Sequence, residues 1–193
     1  MYTRVQALVS AAAAALLLLT GCVAASDSRV AARSAEMLVE HGMEGLSTQQ
    51  IVDALERVPV AERSTELMAS VRPDRLVLSD AAREVELPMP AGLSYVSTAP
   101  YASRTHECWF HSLTTCRGEL ARVPVHVTIT DDETGAVLVD EATTTLDNGF
   151  VGYWLPRGVE GTITIEHEGR SGSAVFSTAD DDAATCITTL ALA

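Results

Sequence analysis

"VPVHVTIT" at Val123–Thr130 is the stretch whose reading decides the fold. Val123, Val125, Val127 and Ile129 occupy alternate positions, and Pro124, His126 and Thr128 stand between them. A period of two over β-branched residues predicts a strand with one apolar face. The pattern repeats outward from there. "DDETG" reads as a turn, "AVLVDEATTT" as a second strand, and "LDNG" as a second turn with Asn-Gly chemistry. "FVGYWLPRG", "TITIEHEG", "SAVFST" and "CITTLALA" carry the series to the end of the chain. Short strands at this spacing predict a small antiparallel sandwich or barrel. The order of strands and turns also looks like transthyretin-type and carboxypeptidase-regulatory-type sandwiches, a likeness of fold that implies no activity.

The pattern upstream is different. "GLSTQQIVDALERVP" predicts a helix: Ser47 caps it, Gln50 completes a capping box, and Ile51, Leu55 and Val58 form a stripe before Pro59 stops it. "RVAARSAEMLVEHGMEG" has helical spacing, and "AERSTELMASVRP" reads as one more short helix. "RLVLSD" and "REVELPMP" alternate and predict a hairpin, while "AGLSYVSTAPYASRT" reads as extended or looping. The fold class expected is therefore α+β: a small N-terminal helical region with a hairpin, then a C-terminal antiparallel β-sandwich. The expected division is an N-terminal helical and hairpin domain over 29–100 and a β-rich domain over 101–193. The helical part holds few large apolar residues, so it is expected to rest on the sheet or on a second subunit.

The chain has 193 residues, 47% of them apolar, and a net charge of −13. That charge argues against nucleic acid and weakly attracts cations. "MYTR" followed by "VQALVSAAAAALLLLT" has the basic start and apolar length of a secretory signal. Leu19-Thr20-Gly21-Cys22 then resembles the bacterial lipobox, which implies a lipoprotein signal over 1–21 and a lipid-carrying Cys22. Residues 22–28 would be the tether of an exported protein attached to the outer side of a membrane.

Three further cysteines are Cys108, Cys116 and Cys186. Cysteines outside the cytoplasm default to disulfides, but three leave one thiol over. "HECWFHSLTTC" holds Cys108 and Cys116 with His106 and His111. Its spacing fits neither CxxC redox motifs nor zinc fingers. Two readings stay open. Cys108 and Cys116 close a short loop as a disulfide, worth roughly 2–3 kcal/mol, and Cys186 is a buried thiol. Alternatively Cys186, seventy residues on, is folded against the pair, and three thiolates make a soft, low-coordinate metal site. Such a site suits Cu(I). Zinc would recruit His106 or His111 as a fourth ligand, Cu(II) would prefer the imidazoles, and calcium or magnesium would need oxygen donors. Trp109 and Phe110 read as packing that shields the site, His41, His126 and His167 as structural or surface residues, and Asp180–Asp182 as a solvated loop. No GxSxG, HExxH or phosphate-binding glycine loop occurs.

"APYASRTHECWFHSLTTCRGEL", "DNGFVGYWLPRGVEGTI" and "FSTADDDAATCITTL" together resemble the CueP family of periplasmic copper-binding metallochaperones, and "GLSTQQIVDAL" and "VELPMP" fit it as well. The resemblance implies that Cys108, Cys116 and Cys186 bind copper and change redox state; His106 and His111, in the same segment, are candidate auxiliary ligands on the chemistry of their side chains. It implies a role in copper tolerance with a copper-receiving client, and a smaller N-terminal domain through which a homodimer forms. Thiol chemistry adds a reductase as partner. On this reading the protein is a carrier rather than an enzyme. Two rivals come from other classes: a thiol-redox protein that reduces Cu(II) or oxidants, and a lipid-anchored β-sandwich binding module with structural cysteines.

Overall fold

The computed structural model describes residues 32–193. The signal segment, the lipobox with Cys22 and the tether at 22–28 lie outside these residues. The described chain falls into two units, the first ending at Glu44 and the second spanning Gly45–Ala193.

In the first unit residues 32–40 form helix α1. It ends in a Schellman motif: Gly42, at φ 70°, donates to Val39 O over 3.1 Å, and Met43 donates to Leu38 O over 2.6 Å.

The second unit opens with helix α2, Thr48–Glu56. The expected capping box is present: Gln50 N donates to Ser47 Oγ at 3.3 Å, and Ser47 N donates to Gln50 Oε1 at 2.9 Å. The buried face is not the expected stripe. Ile51, Val52 and Glu56 are buried, whereas Leu55 and Val58 are only half-buried. A carboxylate thus takes an inward position, and its partners emerge below.

The short helix expected over 61–73 is corrected. A 3₁₀ turn at Val60–Glu62 leads into strand β1, Met68–Val71. Leu67, Ala69 and Val71 are buried while Met68 is exposed, so the operative period there is two. The predicted hairpin forms from β2, Arg75–Ser79, and β3, Glu84–Pro88, and β1 joins β2 antiparallel to complete a three-stranded sheet. Asp80 closes the hairpin turn, accepting from the N–H groups of Ala82 and Arg83, both at 2.8 Å.

Two further sheets face each other. Strand β4, Leu93–Thr98, lies between β7, Val151–Pro156, and β10, Cys186–Ile187. The other sheet has the order β6-β5-β8-β9, from β5 (Pro124–Asp131), β6 (Val137–Thr144), β8 (Glu160–His167) and β9 (Arg170–Ser177). Val125, Val127 and Ile129 of β5 and Ile163 and Ile165 of β8 meet Val96, Val151, Leu155 and Ile187 in one core. The pairing is antiparallel except between β10 and β4, where Cys186 stands opposite Ser97 in a parallel pair. The fold is α+β, short helices followed by mostly antiparallel sheets. The C-terminal stretch expected as a full strand is regular over two residues only.

Candidate metal centre

Residues 99–123 form the long connection between β4 and β5, and several ties fix its path. At its start the Glu119 carboxylate accepts from the N–H groups of Ala102, Ser103 and Arg104 at 2.7, 2.9 and 3.2 Å, and from the Ser103 hydroxyl. These hydrogen bonds, the hydroxyl foremost, hold Glu119 down at about 2. At its end Gly118 N donates to Asn148 O over 2.6 Å, and a Cβ on Gly149 would stand 2.8 Å from Gly118 C and O. Only glycine fits that approach, and Gly149 also sits at φ 80°. The Asn-Gly turn of the sequence is therefore the surface against which the residues after Cys116 are laid.

The middle of the connection is clamped between β1 and the C-terminal tail. Val71 N donates to His111 O at 2.8 Å and Leu113 N to Ala69 O at 2.9 Å. From the other side Thr185 N and Cys186 N both donate to Trp109 O, at 3.0 and 3.2 Å. The buried Thr185 hydroxyl joins all three segments, accepting from His111 N at 3.0 Å and donating to Val71 O at 2.7 Å. The three cysteines are thereby brought together.

Cys108 Sγ and Cys116 Sγ are 3.5 Å apart, and all three cysteines are free thiols. Cys186 Sγ is 3.7 Å from His111 Nδ1. Two groups of side chains each offer three ligand atoms that lie within 4.8 Å of one another: His106, Cys108 and Cys116, and His111, Cys116 and Cys186. Cys116 belongs to both. The second group is the buried one, with His111 at 0% and Cys186 at 2% exposure. The first opens on a surface cavity of about 730 Å³ lined by Arg104, His106, Cys108, Trp109, Cys116 and Glu119 among others.

Charge at this cluster is uneven. Hydrogen bonds from the Cys108 and Cys186 thiols, and then the His111 imidazole, pull Cys116 far below the ordinary thiol range against the effect of burial. Sharing that hydrogen bond pushes Cys108 up to about 12, and the same contacts together with burial push Cys186 up. Burial alone would lower His111, but the Glu56 carboxylate and the Cys116 sulfur raise it to about 9. Burial alone would raise Glu56, but His111 and Asn148 bring it below its ordinary value.

Glu56, Asn148 and Tyr95 are the site residues that sequence reasoning missed. Glu56 Oε2 lies 2.8 Å from His111 Nε2 and accepts from the Tyr95 hydroxyl at 3.3 Å; Glu56 Oε1 accepts from Asn148 Nδ2 at 2.6 Å. The available signal was a charge one helical turn after Val52, on the apolar side of a helix whose phase the cap had set. Shielding also differs from expectation. Phe150, fully buried, covers the site with its ring centroid 4.6 Å from that of His111. Trp109 is 60% exposed and donates Nε1–H to Asp182 O at 2.9 Å, and Phe110 lies under the Arg72 guanidinium at 3.9 Å.

The remaining histidines belong to neither group. His126 pairs with Asp140 at 2.9 Å across β5 and β6, His167 Nδ1 is 2.7 Å from Pro124 O, and His41 follows α1. Of the acidic run, Asp181 accepts from Arg157 at 2.9 Å. No helix among the described residues is long and apolar enough to cross a membrane.

Comparison with known proteins bears on this cluster. The family described as "Periplasmic copper-binding protein CueP" matches residues 50–191, which include every described residue of the cluster. The crystal structure of S.CueP is similar at 38% identity over 83% of this chain and 97% of that chain, with a TM-score of 0.77. No curated protein matches. The chain belongs to the CueP family of periplasmic copper-binding proteins.

Proposed function

We propose that this chain is a copper carrier of the cell envelope that holds Cu(I) on Cys108, Cys116 and Cys186, with His111 and His106 as auxiliary ligands. The observation that carries the reading is the meeting of sulfurs from distant parts of the chain, with Cys116 common to a buried and a surface-facing group. Thiolates with imidazole are a soft donor set, and softness selects Cu(I) where raw affinity does not. Neither group contains a carboxylate, so calcium and magnesium are poorly served. The test is Cu(I) titration against a chelator, on anaerobic protein, for the wild type and for C108S, C116S and C186S. Unchanged affinity in all three variants would end the reading.

Release follows from redox chemistry in this proposal. Joining Cys108 and Cys116 as a disulfide removes two electrons and two ligands, so an oxidant of the compartment frees the metal. A partner thiol reductase then returns the two electrons, and a client takes the copper. A second reading is favoured by the 3.5 Å separation of the two sulfurs. In it the pair reduces two Cu(II) ions by one electron each, forms the disulfide and loses its thiol protons. Turnover of oxidant by metal-free protein with a reductase would favour that chemistry over carriage.

The proposal includes attachment to the membrane through Cys22, on the strength of Leu19-Thr20-Gly21-Cys22. Mass spectrometry of the N-terminal peptide from the membrane fraction tests it. A mature chain that begins elsewhere than at a diacylated Cys22 would refute it.

A further inference from the structure

We infer that Glu56 is a positioning residue, which fixes the His111 imidazole so that Nδ1 faces the cysteines with its lone pair. This rests on the copper reading above. A carboxylate that already takes Asn148 Nδ2 at 2.6 Å and the Tyr95 hydroxyl at 3.3 Å is an acceptor. Its contact with His111 Nε2 at 2.8 Å therefore requires the proton to sit on Nε2. In the neutral ring the free lone pair belongs to Nδ1, the nitrogen 3.7 Å from Cys186 Sγ, in the group that His111 forms with Cys116 and Cys186. Glu56 and His111 are 3% and 0% exposed, so water does not compete for either contact. Phe150 leans on the imidazole at 4.6 Å and limits its rotation.

Asn148 gives the arrangement its direction. Its Oδ1 accepts from Phe150 N at 3.0 Å, so Nδ2 is the group turned toward Glu56. Glu56→Gln has one oxygen for three donors, of which the Tyr95 hydroxyl and the His111 ring can reverse to accept while Asn148 Nδ2 cannot. That oxygen goes to Asn148, and the new amide N–H faces His111 Nε2. The imidazole must then accept at Nε2 and carry its proton on Nδ1, the nitrogen needed for the metal. A change of one atom, with almost no change of volume, turns the ligand away.

The experiment compares the wild type with E56Q by Cu(I)–chelator competition and by long-range ¹H–¹⁵N spectra of the His111 ring. Outer partners of ligating histidines typically contribute about 10–100-fold in metal affinity, and that loss is expected for E56Q. Metal-free protein at alkaline pH is expected to show Nε2–H in the wild type and Nδ1–H in E56Q. A purely structural role for Glu56 would leave the tautomer at Nε2–H in both. Equal Cu(I) affinity in the two proteins overturns the role of Glu56 while the copper reading stands. Absence of Cu(I) binding by the wild type overturns both. Should E56Q not fold, the wild-type spectrum decides: Nδ1–H in the metal-free protein, or Nε2 as the metal-bound nitrogen, overturns the inference.

Discussion

The backbone N–H of Cys186 donates to the carbonyl oxygen of Trp109 over 3.2 Å, which ties the tail thiol to the segment that carries Cys108 and Cys116. The neighbouring Thr185 reinforces the tie through its hydroxyl as well as its N–H. Thr185→Val keeps the shape of the side chain but leaves the His111 N–H and the Val71 carbonyl without their buried partner. Each unmet buried group costs about 1–3 kcal/mol. Urea denaturation is expected to show a loss of about 2–6 kcal/mol for the two groups together, and a variant as stable as the wild type would show that the hydroxyl is dispensable.

Copper affinity should depend steeply on pH. In the proposed site Cys116 is lowered by its neighbours, whereas Cys108 is raised to about 12 and Cys186 is raised as well. Binding by all three thiolates then displaces two thiol protons at neutral pH, and one more if the His111 imidazolium gives up its Nδ1 proton. Apparent Cu(I) affinity is expected to rise at least about a hundredfold per pH unit through the neutral range. Chelator competition in a series of buffers measures it. A slope of one decade or less per unit would mean that fewer than two of these groups release protons.

The His111–Glu56 pair defines a window of stability. The imidazole is raised from its ordinary 6.5 to about 9, so its contribution is complete below 6.5 and is lost as pH rises through 9. The carboxylate is lowered from 4.5, so its contribution is complete above 4.5 and is lost as pH falls through its folded value. His111→Ala strands a buried carboxylate, at a cost of about 3–5 kcal/mol. The difference from wild type in urea titrations should be largest between 4.5 and 6.5 and should shrink on either side. A difference that stays flat from acid to alkaline pH would count against the ion pair.

Glu119 acts on the loop rather than on the core. Its carboxylate gathers three consecutive N–H groups and is lowered from 4.5 to about 2. The ordering it provides is complete above 4.5 and fades as pH falls toward 2. E119A is expected to speed amide exchange at Ala102, Ser103 and Arg104 several-fold, with little change at β5. Unaltered exchange at all three amides would remove Glu119 from the account of the loop.

The Asn-Gly turn should tolerate no side chain at its second position. Gly149→Ala places a Cβ 2.8 Å from Gly118 backbone and forces alanine to φ 80°. The left-handed conformation alone costs about 1–2 kcal/mol, and the clash adds to it by pushing residues 116–118 outward. A lower melting temperature together with weakened metal binding is expected. Wild-type values for both would show that the turn can shift without disturbing Cys116.

Some of this was legible in the chain and some was not, for identifiable reasons. The β5 face was readable because Val125, Val127 and Ile129 alternate without interruption, and the α2 cap because Ser47 and Gln50 are local partners. Strand β1 was misread because Glu66, Leu67 and Met68 supply helix formers in a stretch where Leu67, Ala69 and Val71 are buried at alternate positions. The cysteine segment was recognisable from its residue types. Glu56 was not, because a lone acid in a helix ordinarily faces water, and its partners Tyr95, His111 and Asn148 lie 39, 55 and 92 residues away. Contacts at that range have no local signature. Phe150 was hidden for the same reason, and Trp109 drew attention by its size although most of it is exposed.

Strand β10 is two residues long, and one of the two is Cys186. The tail around it is held by burial rather than by a long ladder: Ile187, Leu190 and Leu192 are 6%, 0% and 6% exposed and belong to the core between the sheets. In the proposed copper-bound form, an ion held jointly by that cysteine and by residues of the preceding loop acts as one more rivet through this seam. Loading would then be legible as added resistance of the carboxyl-terminal residues to carboxypeptidase.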